Sequence, residues 1–120
     1  MEKERPILIV DDDEAILEAE RQILVERGHR VVLARNGAEA LRALHAGPLP
    51  SVIVLDIQMP GIDGPAFARE LRHELRHVPL VVLTAAPDAR HEADRCNAEA
   101  FIRKPFDAEE LARTVERFAA

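Results

Sequence analysis

Short apolar runs alternate with amphipathic stretches along the whole chain, and several runs end in a residue with chemistry to offer. Ile7–Val10 is followed by three aspartates, Asp11, Asp12 and Asp13. The run 52–55 is unbroken Val, Ile, Val, Leu and ends in Asp56; 80–83 ends in Thr84; Ala100–Arg103 delivers Lys104. Runs of four to six residues with β-branched side chains on both faces predict strands buried on both sides. A second strand in chain order is expected over 29–34.

Between these runs the period changes. Over 14–27 the apolar positions Ile16, Leu17, Ile23 and Leu24 fall at helical spacing, with Asp13 placed as N-cap and Gly28 just past the end. Asn36 and Glu39 form a capping-box pair opening a helix with Leu41 and Leu44 inward, closed at Gly47-Pro48. Pro65 suits the first turn of a helix carrying Phe67, Leu71 and Leu75, ended before Val78-Pro79. Asp107 with Glu110 caps a last helix striped by Leu111, Val115 and Phe118. The segment 86–97 has only alanines and Cys96 to bury. It predicts a helix of about two turns, the least stable of the set, because each buried methyl contributes only about 0.8 kcal/mol.

Strict alternation of strand and helix predicts one α/β domain over 1–120. The expected core is a doubly wound, five-stranded parallel sheet with right-handed crossovers and five helices on its two faces. A chain of 120 residues suits the flavodoxin-like strand order 2-1-3-4-5, in which strands one and three are neighbours at the switch point. Ligands bind outside the carboxyl ends of strands in such sheets. That edge collects Asp11, Asp12 and Asp56, with Thr84 and Lys104 arriving from the next two strands.

Three crowded carboxylates either rise in pKa or hold a cation. An all-oxygen donor set suits Mg²⁺; its two charges with that of Lys104 balance the three aspartates. A neutralised site of this kind can receive a phosphoryl group, with the cations on its equatorial oxygens and one carboxylate attacking in line. Asp56, alone at its strand end, is the natural nucleophile; Asp13 reads as a helix cap.

Composition narrows the partners. With 48% hydrophobic and 32% charged residues the chain is ordinary globular material, and a net charge of −6 argues against direct nucleic-acid binding. No run approaches the roughly 20 apolar residues of a membrane span, and the first residues lack the apolar core of a signal peptide, so a cytoplasmic location is expected. The lone Cys96 reads as a small buried or half-buried residue. His73-Glu74-Leu75-Arg76-His77 matches the H-E-x-x-H zinc pattern. It falls, however, at the end of the sheet opposite the aspartates, and Val78-Pro79 carries His77 out of the helix; cationic groups at a helix C-terminus have a simpler electrostatic reason.

The segments ILIVDDD (7–13), LDIQMPGIDG (55–64), VLTA (82–85) and FIRKPF (101–106), in this order and spacing, resemble the receiver domain of two-component response regulators, of the chemotaxis-receiver kind, over essentially the whole chain. The resemblance implies that Asp56 accepts phosphate from a phosphohistidine on a sensor histidine kinase or histidine phosphotransfer protein. It implies that Asp12, Asp56 and the backbone carbonyl of Gln58 bind Mg²⁺, with Asp11 acting through water. Thr84 and Lys104 would contact the phosphoryl group, Phe101 would be the switch aromatic, and Lys104-Pro105 would be a cis peptide. Output would pass through the face of helix four, strand five and helix five to a downstream protein or output domain, from a monomer or a weak phosphorylation-dependent dimer. Such a protein is a switch rather than an enzyme with a diffusible substrate.

Three features depart from the family pattern: Phe101 stands where many receivers have Tyr, Asn97 where Gly is usual, and the interval from Thr84 to Lys104 is about two residues short. Two rivals are a Mg²⁺-dependent phosphatase with an aspartyl nucleophile and a degenerate receiver that only binds partners. The first places its nucleophile on strand one in an Asp-x-Asp pattern and needs a lid that this chain is too short to supply. The second is disfavoured by retention of every acceptor-site residue.

Overall fold

A computed structural model describes residues 5–59, 63–74 and 77–119. In chain order they form β1 (Ile7–Val10), α1 (Glu14–Glu26), β2 (Val31–Ala34), α2 (Gly37–Ala46), β3 (Val52–Asp56), α3 (Gly64–Glu74), β4 (Leu80–Thr84), α4 (Ala89–Arg95), β5 (Ala100–Arg103) and α5 (Ala108–Glu116). The five strands are all parallel, in the order β2-β1-β3-β4-β5, the predicted arrangement.

The sheet is buried on both faces because successive strand residues point opposite ways. Leu8, Val10, Ile53, Leu55, Leu80 and Val82 meet α2, α3 and α4 through Ala40, Phe67, Leu71, Ala93 and Cys96. Ile7, Ile9, Val52, Val54, Val81, Leu83 and Ile102 meet α1 and α5 through Leu17, Leu24, Leu111 and Val115. With apolar contacts needed on both faces, the central strands carry no alternation.

The helix ends follow the sequence signals with small shifts. Asp13 accepts from the N–H groups of Ala15 and Ile16, Asn36 from Glu39, Asp88 from His91 and Asp107 from Glu110. Glu39 reaches back not to Asn36 but one residue further, accepting from the Arg35 N–H at 2.7 Å. Gly28 has φ +95° and Asn97 φ +56°, the left-handed turns that Gly and Asn adopt at least cost. β2 begins at Val31 rather than at 29, because His29 N–H donates to Leu24 O and its ring contacts Glu116 of α5 at 2.9 Å. Leu75, expected on the inner stripe of α3, lies outside the described residues.

α1 differs in one important position. Leu17 and Leu24 are buried as expected, while Ile16 and Ile23 are half-buried. The third buried side chain is Glu20, 1% exposed. Positions 17, 20 and 24 form one helical stripe, so the helix turns residue 20 inward whatever side chain it carries. α4 is the short helix expected, seven residues anchored by Ala89, Ala93 and Cys96.

Candidate functional site

The register of the sheet sets the site. Val10 pairs with Leu55, and Asp56 with Leu83, so Asp11 and Asp56 emerge side by side at the carboxyl edge. Hydrogen bonding continues one residue beyond the strands: Asp11 N–H donates to Ala34 O at 3.0 Å, Ile57 N–H to Leu83 O at 3.2 Å and Lys104 N–H to Thr84 O at 2.8 Å. The chemistry-bearing residues are thus held by sheet geometry rather than by loops. Gly64 lets α3 begin close beneath the loop after β3, since a Cβ there would fall 3.0 Å from the Cβ of Ile57.

Asp11, Asp12 and Asp56 each offer a carboxylate oxygen, all within 4.8 Å of one another. Asp56 is nearly buried; its Oδ1 accepts from the Gln58 N–H at 2.8 Å and its Oδ2 from Lys104 Nζ at 2.9 Å. Asp11 is fully buried, and its Oδ1 accepts from the Asp13 N–H at 3.0 Å. Its Oδ2 is buried with no hydrogen-bond partner among the described residues. Burial pushes the Asp11 carboxyl up to about 6, opposed by the Asp13 N–H and reinforced by the charge of Asp56. Asp12 is exposed. An orphaned buried oxygen and three convergent carboxylates fit a hard divalent cation, and the cluster is compatible with Mg²⁺.

Thr84 is fully buried, its Oγ1 accepting from the Ala86 N–H at 3.0 Å. The Lys104-Pro105 peptide is cis. Phe101 lies half-buried on β5, with the Arg90 guanidinium of α4 5.6 Å from its ring centre. Three features escaped the sequence reading. The Gln58 side chain bridges two loops, its Oε1 accepting from the Ala85 N–H at 2.6 Å, which ties the loop after β3 to the loop after β4. Arg90 covers Phe101. Glu20, both of whose oxygens are buried without a partner among the described residues, is raised to about 8, first by burial and then by the charges of Asp11 and Asp56. Only the stripe shared with Leu17 and Leu24 carried a signal for it.

The H-E-x-x-H segment does not assemble a metal site among the described residues. α3 is described as far as Glu74 and His77 lies in a turn, and Glu74 meets His45 Nε2 at 3.2 Å on the surface. The one group of described residues able to hold a metal is the aspartate trio.

Comparison with known proteins places this geometry. The profile of the response regulator receiver domain matches residues 7–116. The chain is 40% identical over 107 residues to "Response regulator MprA" of Mycobacterium ulcerans, an alignment covering 88% of this chain and 46% of that protein. It therefore spans about half the length of the curated relatives it matches. Among solved structures, the receiver domain of NtrX from Brucella abortus superposes with TM-score 0.86 at 32% identity, covering 94% of this chain and 97% of that one. The chemotaxis protein CheY4 of Vibrio cholerae does so with TM-score 0.87 at 28% identity, covering 97% and 99%.

Proposed function

The chain belongs to the receiver-domain family of response regulators, phosphorylation-controlled switches that generally act as phosphoacceptors, and we propose that Asp56 is the acceptor here. The observation that carries the assignment is the ion pair of Asp56 Oδ2 with Lys104 Nζ at 2.9 Å beside the Asp11–Asp12 pair. It holds a nucleophile and a phosphate-binding cation at hydrogen-bond distance before any donor arrives, and positioning of this kind is most of what phosphoryl transfer requires.

In the reaction, a carboxylate oxygen of Asp56 attacks phosphorus in line. The O–P bond of an acyl phosphate forms as the P–N bond of a donor phosphohistidine breaks, and the imidazole leaves with that electron pair. Lys104 follows the negative charge from the carboxylate to the phosphoryl oxygens. Asp12, Asp56 and the Gln58 carbonyl would hold Mg²⁺, with Asp11 bound through water. The ion would supply positive charge to the phosphoryl oxygens. The buried Thr84 hydroxyl turns from the Ala86 N–H toward the phosphoryl group, drawing the β4–α4 loop with it, and Phe101 follows into the space vacated behind it.

The donor class is a sensor histidine kinase or histidine phosphotransfer protein. The receiver spans 1–120, resides in the cytoplasm as a monomer or weak phosphorylation-dependent dimer, and signals through α4, β5 and α5 to a downstream protein or output domain. It turns over no diffusible substrate. Incubation with acetyl phosphate and Mg²⁺ adds one acid-stable, hydroxylamine-labile phosphoryl group by intact mass, and Asp56→Asn abolishes it. Full labelling of that variant would remove Asp56 from the role.

A further inference from the structure

Lys104 has three ammonium hydrogens, and among the described residues its Nζ makes one hydrogen bond, to Asp56 Oδ2. The attack weakens that acceptor, because the Asp56 carboxylate becomes an acyl phosphate whose remaining carbonyl oxygen carries no charge, while new negative charge appears on the phosphoryl oxygens. On the α1 side of the lysine lies a cavity of about 580 Å³ with mostly apolar walls, including Ile16, Ile23, Pro105 and Phe106. Two of its lining residues are ionisable, Lys104 itself and Glu20. Glu20 is 1% exposed and neither carboxyl oxygen has a partner among the described residues, an arrangement that native interiors rarely tolerate without a use.

We propose, building on the acceptor role of Asp56, that Glu20 is a positioning residue, the second acceptor for the Lys104 ammonium when it shifts from the Asp56 carboxylate to the phosphoryl group. One ammonium hydrogen then serves the phosphoryl oxygens while another is held from behind by α1. The lysine is kept from swinging into solvent, to which its side chain is already 23% exposed. The carboxyl serves ionised or neutral, since its carbonyl oxygen accepts in either state.

Two substitutions separate this role from a packing role. Glu20→Leu fills the space with an apolar side chain and removes an unpartnered buried carboxyl, which stabilises the fold. Glu20→Gln keeps an acceptor oxygen in the same place. With acetyl phosphate and Mg²⁺, Glu20→Leu lowers the maximal phosphorylation rate about tenfold, the scale of one charge-assisted hydrogen bond. The half-saturating donor concentration stays unchanged, and Glu20→Gln recovers most of the rate. In the unsubstituted protein carrying beryllofluoride as the phosphoryl analogue, side-chain NMR shows the Lys104 ammonium protected from exchange, with a cross-peak from its ε-methylene to the Glu20 γ-methylene; the protection is lost in Glu20→Leu.

A folded Glu20→Leu protein with unchanged rate overturns the proposal, as does absence of that cross-peak in the unsubstituted protein. Failure of the unsubstituted protein to label at Asp56 would instead overturn the acceptor assignment itself, so the two failures are told apart.

Discussion

Glu20 has a second, measurable consequence, for stability. Its carboxyl is raised from the ordinary 4.5 to about 8, so the folded protein holds a proton that the unfolded chain releases across this interval. The unfolded state then binds fewer protons, and stability falls as pH rises from 4.5 to 8. Below 4.5 the penalty is absent and above 8 it is complete. At about 1.4 kcal/mol per tenfold change in proton activity, the full penalty is about 5 kcal/mol, with about 3 kcal/mol present at pH 7. A domain of this size has only about 5–15 kcal/mol to lose. In Glu20→Gln the buried group cannot ionise, and its cost becomes independent of pH. Urea denaturation of both proteins in the presence of a chelator is the assay. The variant gains about 1 kcal/mol over the unsubstituted protein at pH 5.5 and about 5 kcal/mol above pH 8. Stability curves that run parallel across this range would refute the reasoning, since they would mean that Glu20 titrates alike in both states.

Asp12→Ala weakens Mg²⁺ binding by calorimetric titration while the fold persists, because it deletes a ligand yet relieves repulsion among three carboxylates. In the unsubstituted protein that affinity falls as pH drops through about 6, where Asp11 takes up a proton. Amide exchange in the unphosphorylated protein is fastest, among the helices, in α4, which buries only Ala89, Ala93 and Cys96; protection equal to that of α1 would contradict this. The Phe101 ring, covered by Arg90 at 5.6 Å, populates two positions whose ratio follows phosphorylation. Arg90→Ala shifts that ratio by about 0.5–1 kcal/mol in aromatic NMR, and one unchanged ring environment would count against the switch.

Much of this was legible in the sequence because strand periodicity and strand ends are local signals. Ile7–Val10 and Val52–Asp56 are apolar on both faces, which requires a covered parallel sheet, and a parallel sheet sends its strand ends to one edge. Asp11, Asp56, Thr84 and Lys104 could therefore be brought together without any knowledge of contacts. Asn97 was equally readable, since its left-handed φ is one of the few that Asn tolerates.

What stayed hidden depends on contacts between elements. Glu20 was masked because a charged residue reads as solvent-facing, while the rotation of α1 is decided by Leu17 and Leu24. The bond from the Ala85 N–H to Gln58 Oε1 joins two loops 27 residues apart, and Arg90 reaches Phe101 only once α4 is packed on β5. The start of β2 was placed two residues early because its edge is decided by the contact of His29 with α5, which no pattern within 29–34 encodes.

The account turns on which carboxylate carries the phosphoryl group, because three lie within reach of one another. After labelling with acetyl phosphate and Mg²⁺, borohydride reduction converts the acyl phosphate to an alcohol, marking the acceptor as homoserine for peptide sequencing by mass spectrometry. The account predicts homoserine at position 56 alone; homoserine at 11 or 12, with 56 unmodified, would contradict it.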